Sequence, residues 1–209
     1  KKSSTIHRQI YWIRRRKNGN TYITLKNNIY KNTVFIVDEA SMISDNYEKA
    51  FSNRSLLEDL FNFINQGIDC KLILIGDTAQ LPPVNIDISP ALSKEFLTKK
   101  YNKAVILKEL KNVVRQEKNS IILENATHIR EKISKLNLTY PKLKTNNEVI
   151  RIENSLDLQE TLEMTYSNNK INNTIIICRS NKRANLYNQQ IRMKIRFQEN
   201  EISSGDRIM

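Results

Sequence analysis

The sequence predicts an α/β fold, and two observations carry that prediction. The apolar runs Val34-Phe35-Ile36-Val37, Leu72-Ile73-Leu74-Ile75 and Ile175-Ile176-Ile177-Cys178 each end abruptly in polar residues. Unalternated, β-branched runs of this length suit strands covered on both faces, as in a parallel sheet. Around them lie helical patterns: Leu56, Leu57, Leu60, Phe61 and Ile64 fall on one face before Gly67, and Ile122, Ala126, Ile129, Ile133 and Leu136 keep a three-four spacing, as do Ala184, Tyr187, Ile191 and Ile195. Strand and helix alternate, as in an α/β architecture.

In chain order, the first element breaks the alternation. Asn18-Gly19 separates the basic segment from Tyr11 to Lys17 from the alternating Tyr22, Ile23, Thr24 and Leu25, and Asn-Gly between strands is a strong hairpin signal. A hairpin is therefore expected near residues 12–31. Strands follow at 34–37, 72–75 and 104–107, completing a first half over residues 1–112. The second half, residues 113–209, takes a strand at 149–152, a helix near 157–166 and the strand at 175–178. The polar stretch "LNLTYPKLKTNNE", Leu136 to Glu148, reads as a surface loop.

Charge bounds the partners. With 34 Lys and Arg against 22 Asp and Glu, the formal charge is +12, spread along the chain. Such a surface fits a polyanion, and fits equally a basic surface that binds nothing. Cys70 and Cys178, each beside or within an apolar run, read as reduced and buried, and His7 and His128 are too scattered for a metal cluster. No apolar run reaches membrane-spanning length. A cytoplasmic setting without membrane contact is expected.

The chemistry gathers where strands end, since ligands of open α/β sheets collect beyond the carboxyl ends of their strands. Asp38-Glu39 and Asp77 fall there. With a nucleoside triphosphate in place, Asp38 would hold Mg2+, directly or through water, and Glu39 would orient and deprotonate the attacking water. An ordinary polar exit from a strand explains the same pair. In "LILIGDTAQLPPV", residues 72–84, Pro82-Pro83 stiffens the backbone after Gln80, so this amide is held in a set position from which it could sense a γ-phosphate.

Together these stretches resemble superfamily 1 helicases, in particular the RecD/Dda-like branch that includes the alpha subunit of exodeoxyribonuclease V. "VDEASMI" resembles motif II and "GDTAQLPPV" motif III, in order and about forty residues apart. "LKNVVRQEKNSIILENATHIR" resembles the segment around motif IV, "STIHRQIY" the Thr-x-His stretch after motif Ia, and "IIICRSNKRANLYNQQIR" with "SGDRIM" the second motor domain. The resemblance implies two RecA-like parallel-sheet motor domains of the P-loop NTPase fold, both incomplete, with a small β-hairpin insertion. It implies an ATP-dependent DNA helicase acting in recombination or repair, with ATP and Mg2+ as cofactors, and leaves room for other nuclease or helicase subunits as partners.

Residue by residue, the resemblance makes Asp38 the magnesium aspartate, Glu39 the catalytic base and Gln80 the contact to the γ-phosphate, with Asp77 in support. Arg115 becomes the arginine finger, although outside this context it reads as a solvated basic residue. Thr5, His7, Arg179, Ser180 and Asn181 become candidate contacts to single-stranded DNA, with a helix N-cap as the competing role for Ser180 or Asn181. In the hairpin, Arg14, Arg15 and Arg16 could face phosphates, and Trp12 fits either a base stack or the core.

A phosphate-binding loop G-x-x-x-x-G-K-[ST] is not formed by any of the four glycines, Gly19, Gly67, Gly76 and Gly205. In the resembled family this loop precedes the Thr-x-His stretch, so it is expected ahead of Lys1, with later motifs beyond Met209. The 209 residues are then expected to be an internal piece of a larger helicase, inactive alone and with a sheet edge open to self-association. An RNA-directed superfamily 1 helicase shares motifs II and III, a PhoH-like ATPase has a similar Asp-Glu and Gly-Asp pattern, and a non-enzymatic nucleic-acid-binding subunit with a degenerate motor fold is the reading from another class.

Overall fold

The structure is a computed structural model that describes residues 3–15, 21–47, 54–110, 120–137, 139–167, 173–200 and 202–203. The chain divides into two compact units, residues 1–115 with 129–139, and residues 116–128 with 140–209. The expected half-boundary near Asn112 lies outside the described residues, as do Asn18, Gly19, Arg16, Arg115 and Gly205.

The first unit opens with the short helix α1 (Ile6–Ile10), capped by Thr5, whose hydroxyl accepts from Arg8 N–H at 3.3 Å. The hairpin strands follow: β1 (Tyr11–Arg15) pairs antiparallel with β2 (Thr21–Leu25), Tyr11 opposite Leu25 and Arg15 opposite Thr21. Next, β3 (Val34–Val37) pairs in parallel with β4 (Lys71–Leu74), in register from Val34 opposite Lys71 to Val37 opposite Leu74. Between these strands runs α2 (Leu56–Gln66), the amphipathic helix expected before Gly67, which is its C-cap. Its start is an N-cap: Ser55 Oγ accepts from Glu58 N–H at 3.0 Å, satisfying a backbone donor that the helix itself cannot. After 3-10 turns at Ala40–Met42 and Pro90–Leu92 comes α3 (Lys94–Tyr101), capped by Ser93.

The core is the buried face of α2 (Leu57, Leu60, Phe61, Phe63 and Ile64) packed with Ile10, Tyr11, Val37, Ala40, Ile43, Ala91 and Leu97. Tyr101 stacks on Phe61 with ring centroids 4.2 Å apart, fixing α3 to α2. A buried carboxylate, Asp59, accepts from Tyr11 Oη at 2.9 Å and pairs with Arg54, so its charge is compensated as a fully desolvated one must be. Asp45 plays a similar part nearer the surface, accepting from Ser55, Tyr101 and Lys100.

Several sequence expectations are corrected here. The β3–β4 pair is covered on one face only: Phe35 and Val37 turn to the core while Val34 and Ile36 are 51% and 64% exposed. Residues 104–107 form no strand among the described residues. Only Val105 reaches the core, and Ile106 beyond it is 85% exposed, so the chain leaves the surface before a ladder can form. Cys70 and Cys178 are free, as expected, but half-buried rather than buried.

In the second unit lie α5 (Ser155–Ser167), α6 (Asn181–Gln190) and a π-helical extension at Ile191–Ile195. Helix α4 (Ile121–Ser134) has its first turns in this unit and its last in the other. Glu148 caps α4 by accepting from Ser120 Oγ and Ile121 N–H, and the Asn125 amide exchanges hydrogen bonds with the backbone of Lys144. The polar stretch at 139–148 is thus a loop, as expected, and part of it is tied down on α4. The runs at 149–152 and 175–178 form no strands among the described residues. One side of each run stays in water, Ile150, Ile175 and Ile177 being 75%, 82% and 88% exposed. Four apolar residues favour burial, but only a neighbouring strand can satisfy their backbone groups as a sheet. Among the described residues no helix is long and apolar enough to cross a membrane.

Candidate functional site

Two strand ends build the site. Ile75 N–H donates to Val37 O and Ala40 N–H donates to Ile75 O, both at 2.8 Å. These bonds extend the parallel ladder past β3 and β4, so the chain emerging as Asp38-Glu39 stays beside the chain emerging as Gly76-Asp77. The approach is close: a Cβ on Gly76 would lie 2.8 Å from Ser41 N and 2.9 Å from Leu92 Cδ1. Glycine is needed there for space, not for an unusual backbone angle. Ser89 holds the 3-10 turn from behind, its Oγ donating to Ala40 O at 3.1 Å.

Asp38 and Glu39 are both exposed. Asp38 Oδ1 accepts from Glu39 N–H at 2.9 Å, which fixes the aspartate against the turn. Glu39 stands in the left-handed region, φ 54° and ψ 37°, a conformation that costs a residue with a Cβ ~1–2 kcal/mol. Strain of this kind persists only where the surrounding structure imposes it, and it concentrates at functional sites. The hydrogen-bonded turn and the tight Gly76 contact supply that imposition.

On the neighbouring strand end, Asp77 organises the next turn. Its Oδ1 accepts from Ala79 N–H at 3.0 Å and its carbonyl accepts from Gln80 N–H at 3.1 Å. Arg130, on α4, grips the carboxylate with both terminal nitrogens, Nη1 to Oδ1 at 2.9 Å and Nη2 to Oδ2. This guanidinium, more than partial burial opposes it, holds the Asp77 carboxyl below the usual carboxylate range, and Ala79 N–H and the Gln80 side chain add to the effect. Beyond Gln80, which is exposed, Pro83 is buried and pins the exit. Sequence reasoning missed Arg130 because its partner lies 53 positions away, and no local pattern marks a contact of that kind.

Magnesium bound beside nucleotide phosphates keeps several waters and takes only one or two carboxylates from the protein. Among the described residues no cluster of three or more acidic, His or Cys side chains is placed to hold a metal ion. An exposed Asp38 fixed at a strand end does fit a hydrated ion shared with phosphate.

The candidate nucleic-acid residues fall into two groups. In the first unit, Lys26 joins α1 to the hairpin: its Nζ donates to Arg8 O at 2.5 Å and lies 4.5 Å over the Trp12 ring. Trp12 is 55% exposed, which excludes the core role. Alternation along β1 puts Trp12 and Arg14 on one face, opposite Thr24 and Tyr22 of β2. Thr5 is occupied as the N-cap of α1, whereas His7 is exposed, with its ring 5.8 Å from that of Tyr11. In the second unit Arg179, Ser180 and Asn181 are exposed at the start of α6, where Ser180 Oγ accepts from Arg183 N–H at 3.3 Å. Ser180 therefore has the N-cap role.

Adjacent parallel strand ends carry an Asp-Glu pair and a Gly-Asp turn, the place where open α/β sheets collect their ligands. A family model described as an AAA domain matches residues 1–152, and the chain belongs to that family of helicase-like P-loop NTPases. No individually curated protein matches the sequence.

Proposed function

We propose that the chain carries part of the motor of an ATP-dependent DNA helicase of the RecD-like branch of superfamily 1, coupling ATP hydrolysis to translocation on single-stranded DNA in recombination or repair. The observation that carries this reading is the hydrogen-bonded junction of the two strand ends, which keeps Asp38-Glu39 beside the turn that presents Gln80. The AAA-domain match supports it at the level of class.

In this mechanism the residues divide the work. Asp38, held by Glu39 N–H, binds the Mg2+ of the nucleotide, and that ion when bound supplies neutralisation of charge on the phosphate oxygens. Glu39, exposed on its strained turn, orients a water and accepts its proton. Gln80 contacts the γ-phosphate and reports its loss, held in place by the turn around Asp77. Arg115 is the proposed finger toward the transition state. The basic-aromatic face with Trp12, Arg14 and Lys26 and the exposed His7 suit a single strand, through stacking and phosphate contact rather than base reading; Arg15, Arg16, Arg179 and Asn181 extend the set.

The test uses the complete protein that contains this chain. Glu39→Gln should retain nucleotide binding while losing ~100- to 10,000-fold of DNA-stimulated turnover, as removal of a general base does. Unwinding of RNA duplexes in preference to DNA duplexes would redirect the reading to an RNA helicase. Full turnover in Glu39→Gln would overturn the assignment of the base.

A further inference from the structure

We propose that Arg130 is a positioning residue that sets the Gln80 side chain through Asp77, so that the first motor segment is poised only while this ion pair is closed. The inference rests on the reading of Gln80 as the γ-phosphate contact.

The geometry is that of a hub. One carboxylate, Asp77, accepts both forks of Arg130 and the N–H of Ala79, while its backbone carbonyl accepts from Gln80 N–H. The Gln80 side chain also helps to hold the Asp77 carboxyl below its ordinary range. Displacing this one side chain therefore shifts the donor, the turn and the amide together. Thr78 and Gln80 are exposed, so solvent competes for every one of these bonds. Between the end of β4 and buried Pro83, the Asp77 carboxylate is the point at which the turn is fixed to another element.

An arginine suits this task because its planar fork fixes the carboxylate in orientation as well as place, which a lysine ammonium cannot do. The Arg130 side chain is 57% exposed and that of Asp77 26% exposed. A pair so placed contributes little to global stability, and its use lies in local order. Glu109 acts on Arg130 as a second, weaker attraction, so release of Asp77 leaves the guanidinium another acidic neighbour.

Two measurements decide the matter. The first is amide hydrogen exchange on this chain. Arg130→Ala and Arg130→Lys should each speed exchange at Ala79 and Gln80 by tenfold or more, while the amides of α2 stay at their wild-type rates. Asp77→Asn, which keeps an acceptor for Ala79, should fall between. Unchanged rates at Ala79 and Gln80 in a folded Arg130 variant would overturn the proposal. The second is a double-mutant cycle on kcat for DNA-stimulated ATP hydrolysis in the complete protein. Arg130→Ala should lower kcat, and in a Gln80→Ala background it should have no further effect, because both act through one amide. Effects that multiply would show that Arg130 acts elsewhere and would also overturn it. If the complete protein shows no nucleic-acid-stimulated hydrolysis, the helicase reading falls, and the exchange rates still decide whether Arg130 orders the turn.

Discussion

Glu39 offers a test in which stability and catalysis should move in opposite directions. Its backbone sits at φ 54°, and the hydrogen bond that holds the turn comes from its own N–H to Asp38, which a glycine would keep. Removing the Cβ relieves ~1–2 kcal/mol of left-handed strain, while the freer unfolded chain costs about 0.5–1 kcal/mol. Glu39→Gly should therefore be more stable than the wild type by about 0.5–1 kcal/mol. Glu39→Gln keeps the strain and should leave stability unchanged. Glu58→Gly, in the first turn of α2, has no strain to relieve and should lose about 1 kcal/mol. Urea denaturation of the chain reads all three as shifts of midpoint at constant slope. Both Glu39 variants should nevertheless abolish DNA-stimulated hydrolysis in the complete protein. Destabilisation of Glu39→Gly to the level of Glu58→Gly would refute the claim that the turn is imposed on Glu39.

Two further outcomes follow from the packing. Gly76→Ala places a Cβ against the backbone nitrogen of Ser41, which cannot swing aside as a side chain can. It should cost about 1–3 kcal/mol in the same denaturation assay, the range for overpacking; a neutral result would mean that the two strand ends are not locked together. The Tyr101 hydroxyl is pushed well above its ordinary value, first by burial and then by its bond to the Asp45 carboxylate. A raised value favours the protonated form in the folded state, so this contribution is intact below the unfolded tyrosine value, about 10, and is lost as pH rises above it. Tyr101→Phe should therefore lose less stability between pH 9 and pH 11 than the wild type does, read by urea midpoints at each pH.

Legibility of the fold tracked how many independent local signals converged on an element. The helix α2 announces itself by its apolar face and its Gly67 stop, and both occur in the structure, with Ser55 added as the N-cap. The parallel β3–β4 pair was readable from two apolar runs, although its exposed Val34 and Ile36 show that such runs do not reveal whether one face or both will be covered. The runs at 104–107 and 175–178 are as apolar, and 149–152 differs by the single charge of Arg151, yet none forms a strand among the described residues. Pairing is a non-local property. A strand needs a neighbour whose backbone groups meet its own, and nothing within four residues encodes the neighbour.

The candidate site divides along the same line. Asp38, Glu39, Gly76, Asp77 and Gln80 are contiguous in two short stretches, and hydrogen bonds between Val37, Ile75 and Ala40 draw those stretches together. What the sequence did not disclose is how each residue is restrained. Glu39 carries no sign of a left-handed backbone, Trp12 no sign of its exposure beneath Lys26, and Asp77 no sign of a guanidinium arriving from α4. These restraints come from atoms distant in sequence. An Asp-Glu pair leaving a strand is common, whereas the same pair with its glutamate forced into strain beside a glycine that admits no methyl group is a shaped feature. Ser180 shows the converse. Its hydroxyl is spent on Arg183 N–H, so a residue that motif resemblance nominated for DNA already has a sufficient local reason to be serine, and its substitution by alanine alone could not separate lost DNA contact from a frayed α6.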